Sequence, residues 1–354
     1  MTLRYHASDL LAFATSLLTL ATLPEDRARV VAEVLLEGDL LGHTTHGLDM
    51  LPRYLHDIAE GRMARDGERI VMSDGAAALT WDGRRLPGPW LVTRAIAEGR
   101  ARVRAHGVVT VVIRRSHHIG CLQAYLKPVT DEGLVILLMC SDPSAAGVAP
   151  HGAVSSAITP NPVAVGIPTG GVPILIDISM STTTHAMARR VYDEGGRLPG
   201  AWLVDAQGSA TDDPGVLYRD PRGSMLPLGG LDLGHKGFAL ALMVEALTSA
   251  LGGFGRADGP KEWGASVFLQ ILNPELFGGR QAFTRETSRL VEICHGAAVA
   301  PGAEPVRLPG ERALAWREKQ LREGVQLHPA ILPALAVWAD RLGVPLPVAR
   351  GERP

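Results

Sequence analysis

The sequence predicts an α+β protein with a central β-sheet domain and a helical domain built from both chain ends. Three observations predict this architecture. The chain has 354 residues, which exceeds the usual size of one compact unit. Both ends carry apolar residues at helical spacing, whereas the middle carries short β-rich runs between glycines and prolines. We therefore assign residues 1–74 and 308–354 to the helical domain and residues 75–307 to the sheet domain.

Four stretches near the two ends repeat apolar residues every three to four positions, as amphipathic helices do. They are residues 8–20, 24–38, 52–60 and 312–342. Ser8 is expected to cap the first helix. Pro24 suits the start of the second, because the first turn of a helix leaves the backbone N–H that proline lacks without a partner.

The middle of the chain contains five β-rich runs that we interpret as buried strands. They cover residues 77–81, 108–114, 134–140, 163–167 and 174–178. Two further helices are predicted at residues 90–106 and 237–251. The second of these is apolar nearly all round, and it is therefore predicted to be buried.

Composition narrows the classes of partner. The 35 basic and 37 acidic residues nearly cancel and are interspersed, which favours neither nucleic acid nor an anionic membrane surface. The longest apolar runs fall far short of the ~20 residues that cross a bilayer. Cys121, Cys140 and Cys294 fit neither a disulfide framework nor a metal-binding pair. Together with an N-terminus that shows no cleavage-site pattern, these features predict a cytoplasmic protein.

Residues 42–52 form the first motif, which holds His43 and His46 between glycines at a helix exit. Histidine titrates near neutral pH, so a restrained histidine at this place suits proton transfer. A purely local hydrogen-bonding role for His43 is the alternative. A metal site is a weaker interpretation, because the histidine pair lacks the third ligand that a zinc site needs.

Residues 115–120 form the second motif, which follows directly on a predicted strand and carries Ser116, His117 and His118. Reactive side chains often lie where strands end in loops. Because strand side chains alternate, one histidine should face the core and the other the loop, so only one can be catalytic. A serine hydrolase is the alternative, but the GxSxG elbow is absent and an adjacent Ser-His pair is not a triad.

Two later segments carry groups that suit bound anions. Residues 177–184 are rich in hydroxyl groups that fit phosphate or ribose oxygens, with a turn and helix cap as the alternative. Lys236, one of only four lysines, lies where the predicted helix starts, and a cation there opposes the helix dipole. It is therefore interpreted as a contact for a bound anion, with a solvated lysine as the alternative. The dinucleotide fingerprint GxGxxG is missing, so an ordinary Rossmann fold is not supported.

These segments, in this order, resemble the malate/L-lactate dehydrogenase-like family over essentially the whole chain. That family includes ureidoglycolate and sulfolactate dehydrogenases, diketogulonate reductase and reductases of cyclic imino acids. The matching segments are residues 42–47, 116–120, 159–162, 177–181, 234–237 and 308–311.

The resemblance implies a non-Rossmann fold with a central mixed sheet, an NAD- or NADP-dependent enzyme, and usually a homodimer. It implies the interconversion of a small 2-oxo acid and a 2-hydroxy acid, with His118 favoured over His46 as the acid/base catalyst. The substrate contacts that we assign are Met50, Arg53, Ser116 and Asn161. The cofactor contacts that we assign are Ser179, Met180, Ser181, His235, Lys236, Gly310 and Glu311. We assign no metal site.

The departure from the family pattern that bears on the substrate is at position 50. The family commonly has an arginine, a natural partner for a substrate carboxylate, four residues after the histidine that matches His46, and here that residue is Met50. Either Arg53 takes over this role or the substrate presents a different group. Two alternatives therefore stay open: reduction of a cyclic imino acid on the same scaffold, and a catalytically silent relative that only binds ligands.

Overall fold

The computed structural model describes residues 3–351 and shows an α+β fold. Its helices are α1 (Ala7–Leu20), α2 (Glu25–Leu40), α3 (Leu51–Ala59), α4 (Gly88–His106), α5 (Lys127–Thr130), α6 (His185–Asp193), α7 (Gly230–Glu245), α8 (Arg280–His295), α9 (Glu311–Glu323) and α10 (Ile331–Leu342). Its strands are β1 (Ile70–Asp74), β2 (Ala78–Asp82), β3 (Val108–Ser116), β4 (Val135–Ser141), β5 (Val163–Ile167), β6 (Ile174–Ile178), β7 (Leu203–Val204), β8 (Ala210–Thr211), β9 (Ser224–Met225) and β10 (Ala265–Leu272).

The central sheet has seven strands in the order β1-β2-β3-β10-β4-β5-β6. Strands β2 and β3 run parallel and the other neighbours run antiparallel, so the sheet is mixed, as expected from the resemblance. All five predicted strands are present, and β5 and β6 match the prediction at both ends. A second, small sheet has the order β8-β7-β9.

The middle strand of the sheet, β10, is absent from the sequence prediction. It pairs with β3 on one side and β4 on the other, so that Leu269 lies opposite both Val111 and Leu138. Such a strand is buried on both faces, and its nearly continuous apolar run cannot be told from a buried helix by periodicity. Strand β1 is also absent from the prediction, because all five of its residues are exposed and give no apolar alternation.

A second core joins the two chain ends. Its buried side chains come only from residues 5–63 and 325–349. Tyr5 and Val325 exchange backbone hydrogen bonds of 3.0 and 2.7 Å, and Gln320 of α9 donates to the Asp39 carbonyl oxygen. These contacts hold the end helices together, which is the arrangement that the sequence predicts. The domain boundaries at residues 74 and 308 stay a prediction.

Three local expectations are wrong. Helix α1 begins one residue before Ser8, and no side chain caps it. Helix α7 begins at Gly230, seven residues before the predicted start, because its first residues include glycines that mask the helical pattern. Its outer face is exposed in the single chain, with Leu233 at 51% and Leu242 at 48%, so all-round apolarity does not mean burial within one chain. Among residues 3–351, no helix combines the length and apolarity needed to span a membrane.

Candidate active site

The second motif separates its two histidines as the alternation along β3 predicts. His117 is fully buried, and its Nε2 lies 3.1 Å from Asp57 Oδ2. His118 is half-buried, and its ring stacks on Trp263 with the centroids 4.6 Å apart. His118 is therefore the member of the pair that a ligand can reach.

Tyr54 of α3 fixes the His118 ring. Its hydroxyl oxygen lies 2.8 Å from His118 Nδ1 and 2.9 Å from the His118 carbonyl oxygen. A carbonyl can only accept, so the single Tyr54 proton goes to it and Nδ1 donates to the hydroxyl oxygen. The Gly120 amide, which would favour the opposite tautomer, is farther from Nδ1 at 3.3 Å. This tautomer leaves a lone pair on Nε2, which makes no hydrogen bond to any residue from 3 to 351.

His46 of the first motif lies beside His118, with ring centroids 5.8 Å apart. Its Nδ1 is 3.0 Å from the Thr45 hydroxyl oxygen. Burial, with a contribution from His43, lowers the pKa of His46 to about 4. Burial, with contributions from His46 and His117, lowers the pKa of His118 well below its ordinary value. Both rings are therefore neutral at pH 7 and able to accept a proton.

The loop that carries His46 is held in place by Asp39, which is fully buried. Asp39 Oδ2 accepts the Leu48 amide hydrogen at 2.7 Å, and burial raises the pKa of this carboxyl to about 8. A Cβ at position 47 would lie 2.3 Å from Asp39 Oδ2, so only glycine fits there. Arg190 of α6 ties down the other side of the loop, because it donates to the Thr44 hydroxyl at 2.9 Å and to Asp49 at 3.0 Å.

Asp57 is a buried carboxylate that organises the side chains around it. It accepts hydrogen bonds from His117 Nε2 at 3.1 Å, Arg62 Nε at 2.9 Å and Arg53 Nε at 3.1 Å. Burial alone would raise the pKa of Asp57, but these hydrogen bonds hold it below its usual range. Asp57 is therefore ionised, and it orients both His117 and Arg53.

Arg53 and His118 contact the same aromatic ring, that of Trp263. The Arg53 guanidinium carbon lies 5.1 Å from the Trp263 centroid, and the same ring stacks on His118. The Arg53 side chain is half-exposed. Within the described part of the chain, its two terminal nitrogens have no hydrogen-bond partner. Arg53 therefore pairs with Asp57 through Nε and keeps its two terminal nitrogens open to a ligand.

The other three assigned substrate contacts have mainly structural surroundings. Met50 packs against the core of the end helices. Ser116 is buried and donates its hydroxyl hydrogen to the His117 carbonyl oxygen at 2.7 Å. Asn161 is fully buried, and its amide donates to the Ala241 carbonyl oxygen and to Glu245, both at 3.1 Å. Their hydrogen-bonding groups do not point to a free binding position.

Sequence reasoning overlooks Tyr54, Asp57 and Trp263. The first two had a signal, because Met50, Arg53, Tyr54 and Asp57 fall at positions i, i+3, i+4 and i+7 and so share one face of α3. Trp263 had none, since it lies in an irregular loop before the overlooked strand β10.

The assigned cofactor contacts fall into two groups. In the first, backbone hydrogen bonds join residues 179–182 to the segment that leads into α7, since the Leu228 amide donates to the Met180 carbonyl oxygen at 3.0 Å. Met180 is buried, while the Ser179 and Ser181 hydroxyls donate to nearby carbonyl oxygens. His235 and Lys236 are exposed on the second turn of α7, so the argument that Lys236 opposes the helix dipole at a terminus fails.

The second group, Gly310 and Glu311, lines a cleft of about 1400 Å³ where α9 begins. The cleft brings together the first motif, the strand end before Ser179 and the segment that precedes α9. Gly310 has φ +97°, a conformation that glycine adopts readily, and a Cβ there would lie 2.8 Å from Leu175 Cβ. Glu311 accepts the Leu308 amide hydrogen at 2.9 Å and pairs with His295 at 2.8 Å. Arg307, Arg312 and Lys319 also line the cleft.

Among residues 3–351, the potential metal ligands that lie close together include His43 but not His46. In the described part of the chain, a single group of three side chains, His43, Cys121 and Asp177, brings potential ligand atoms within 4.8 Å of one another. His43 Nε2 lies 2.7 Å from Gln123 Oε1, and the Gln123 amide donates to Asp177 at 2.8 Å. A hydrogen-bonded network through Gln123 therefore connects these groups.

Comparisons with known proteins agree with this architecture. A family model described as malate/L-lactate dehydrogenase matches residues 5–336. The L-lactate dehydrogenase of Cupriavidus necator is 31% identical over 343 residues, covering 95% of this chain and 97% of its own. The Δ1-pyrroline-2-carboxylate/Δ1-piperideine-2-carboxylate reductase of Pseudomonas syringae pv. tomato is 32% identical over 321 residues, covering 87% and 88%. The structure of malate dehydrogenase from Pyrococcus horikoshii superposes with a TM-score of 0.87 at 25% identity over 97% of both chains.

Proposed function

Because the chain belongs to the malate/L-lactate dehydrogenase family of oxidoreductases, we propose that it interconverts a 2-oxo acid and the corresponding 2-hydroxy acid with a nicotinamide cofactor. The observation that carries this proposal is the His118 ring, whose Nδ1 is held by Tyr54 while Nε2 has a free lone pair, with the Arg53 cation on the Trp263 ring that His118 also contacts. Oxidation of a 2-hydroxy acid requires a base for the hydroxyl proton and a cation that binds the substrate carboxylate.

His118 Nε2 accepts the proton of the substrate hydroxyl in the oxidative direction and returns it to the carbonyl oxygen in the reductive direction. Tyr54 keeps the ring oriented, because its hydroxyl accepts from Nδ1. Trp263 covers one face of the ring and excludes water there. His46, whose ring centroid is 5.8 Å away, contacts the substrate or shares the proton.

Arg53 supplies the cation that position 50 lacks. Its Nε is bonded to Asp57, and its terminal nitrogens are available for a bidentate contact with the substrate carboxylate. Met50, the N-cap residue of the same helix, instead contributes apolar surface. We therefore expect substrates that carry a carboxylate near the reacting carbon.

The residues around the large cleft fit a nicotinamide dinucleotide. Arg307 and Arg312 line the cleft beside the N-terminus of α9, which suits the negative charge of a diphosphate. Gly310 and Glu311 line the same part of the cleft. The other assigned cofactor contacts are Ser179, Met180, Ser181, His235 and Lys236. When bound, the nicotinamide accepts or supplies the hydride.

The pH dependence should reveal the depressed histidine pKa values. Because the pKa of His118 lies well below 6.5, kcat/KM for hydroxy-acid oxidation should stay flat through pH 6.5 and up to about pH 8. The reductive kcat/KM needs the protonated ring and should fall about tenfold per pH unit over the same range. An inflection near pH 6.5 in either profile would show that His118 titrates normally and would contradict the assigned environment.

Replacing Lys236 with Ala should weaken cofactor binding about tenfold, the loss expected for one charge-assisted contact. The measurement is the affinity for NADH and for NADPH, followed by fluorescence. Lys127→Ala, which removes an exposed lysine paired with Asp131, is the matched control and should leave both affinities unchanged. Equal affinities in the Lys236 variant and the wild type would make Lys236 an ordinary surface residue.

A second candidate is reduction of a cyclic imino acid, which the 32% identity to the Pseudomonas reductase favours. An imine can arrive already protonated, so this reaction depends less on a proton from His118. A panel of pyruvate, oxaloacetate, bulkier 2-oxo acids and cyclic imino acids, assayed with NADH and NADPH, separates the two. Faster turnover of 2-oxo acids supports the first proposal, whereas turnover of imino acids alone supports the second. Cofactor binding without any turnover would indicate a catalytically inactive member of the family that only binds ligands.

The exposed face of α7 supports a homodimer. Leu233, Leu240 and Leu242 are each more than 40% exposed, on a helix that carries few charges. A second copy of the chain would bury this surface. Light scattering should give twice the chain mass of 37.6 kDa, and Leu240→Glu should raise the dimer dissociation constant at least about tenfold. Leu20→Glu, at an exposed position on α1, is the control. A monomeric wild type would contradict the proposal.

A further inference from the structure

A second cavity, of about 480 Å³, lies next to the second motif. Ser116, two residues before His118, lines it, and so does Gly264, which follows Trp263. The site residues His46, Tyr54 and His118 do not line it. The cavity therefore adjoins the candidate active site but has its own walls.

Two polar atoms in these walls make no well-formed hydrogen bond within residues 3–351. Ser266 is fully buried, and its hydroxyl makes no hydrogen bond. Asp142 Oδ1 accepts from the amide and the hydroxyl of Ser144 at 2.9 and 2.7 Å, whereas its buried Oδ2 makes no well-formed hydrogen bond and the Gly264 amide interacts with this carboxyl. Buried polar atoms nearly always have partners, so two of them around one cavity point to hydroxyl groups of a ligand.

The same cavity presents three arginines together with the carboxylates of Asp142, Asp258 and Glu262, the last of which pairs with Arg85. Arg84 and Arg85 are consecutive residues with φ of +51° and +62°, and the Arg85 amide donates to the carbonyl oxygen of Arg115 at 2.7 Å. Such backbone conformations are uncommon for side-chain-bearing residues and cluster at ligand sites. Arg115 pairs with Asp82, whereas the Arg84 guanidinium is exposed and has no ion pair or hydrogen bond in the described part of the chain.

We propose that this cavity binds a small phosphorylated polyol. The phosphate meets Arg84 and Arg115, since guanidinium groups match phosphate oxygens in pairs and a dianion needs more than one cation. The hydroxyl groups donate to Asp142 Oδ2 and to Ser266. Phe254 supplies an apolar wall for the carbon chain.

Calorimetry with ribose 5-phosphate, ribose and inorganic phosphate tests the proposal. Ribose 5-phosphate should bind at least about tenfold more tightly than ribose or inorganic phosphate. Only ribose 5-phosphate carries both a phosphate for the arginines and hydroxyl groups for Asp142 and Ser266. Arg84→Gln should weaken its binding about tenfold, and Ser266→Ala about threefold. Arg285→Gln, an exposed arginine on α8, is the matched control and should change nothing.

Two results would overturn the proposal. One is the absence of ribose 5-phosphate binding, which would leave water as the partner of the two unpaired atoms. The other is binding that persists in Arg84→Gln and is lost in Lys236→Ala, which would place the probe at the assigned cofactor contacts on α7. Both readouts are independent of turnover, so failure here leaves the dehydrogenase proposal standing, and the reverse also holds. Competition between the probe and a 2-oxo acid would assign the cavity to the distal part of the substrate, whereas independent binding would assign it to a separate ligand.

Discussion

Replacing His118 with Ala should lower the turnover number by about 10²–10⁴-fold, the range typical of losing a general acid/base. The variant removes the ring whose Nδ1 is held by Tyr54 and whose Nε2 is open to the substrate. Substrate affinity should change little, because Arg53 remains in place. Steady-state kinetics in the oxidative direction provide the measurement.

Two further variants make this result interpretable. His56→Ala removes an exposed histidine from the same helix as Tyr54 and should leave turnover unchanged. His46→Ala tests whether the second ring shares the proton. Full activity in His118→Ala would remove His118 from the mechanism, and a larger loss in His46→Ala than in His118→Ala would reverse their roles.

Replacing Asp57 with Ala should destabilise the protein by about 3–5 kcal/mol, because it leaves the buried His117 and two arginines without their shared carboxylate. The fall in the urea midpoint at constant slope measures this loss. Since the pKa of Asp57 is lowered on folding, its contribution is present at neutral pH. It disappears only as acid takes the pH below the unfolded value and through the lowered folded one.

Asp193→Ala is the matched control for this prediction. Asp193 pairs with Arg189 on the exposed side of α6, where an ion pair contributes little, so its loss should cost less than about 0.5 kcal/mol. An equal loss of unfolding free energy in the two variants would mean that the ion pairs of Asp57 stabilise the protein no more than a surface ion pair does.

The end helices and the short buried strands were predictable from the sequence, because their patterns are local. The spacing of apolar residues locates α1 and α4, and the alternation after β3 correctly separates His117 from His118. Strand β10 was not predictable, because a strand buried on both faces has no period of its own. The exposed leucines of α7 show a related limit, since an apolar sequence alone does not say whether a helix is buried.

Part of the candidate site was likewise not predictable from the sequence. His46, His118 and Arg53 stand out by residue type and by the order of the motifs. The partners that tune them, Tyr54, Asp57 and Trp263, come from a helix face and an irregular loop and meet only in the folded chain. The roles of Ser116 and Asn161 stay predictions, since the sequence singles them out and both side chains hydrogen-bond within the fold.

The transfer of label from C4-deuterated NADH or NADPH to a 2-oxo acid tests the central claim most directly. The account predicts deuterium at C2 of the 2-hydroxy acid product, with label transfer slowed about 10²–10⁴-fold in His118→Ala. A folded protein that binds the reduced cofactor yet leaves no label at C2 of any 2-hydroxy acid would contradict it.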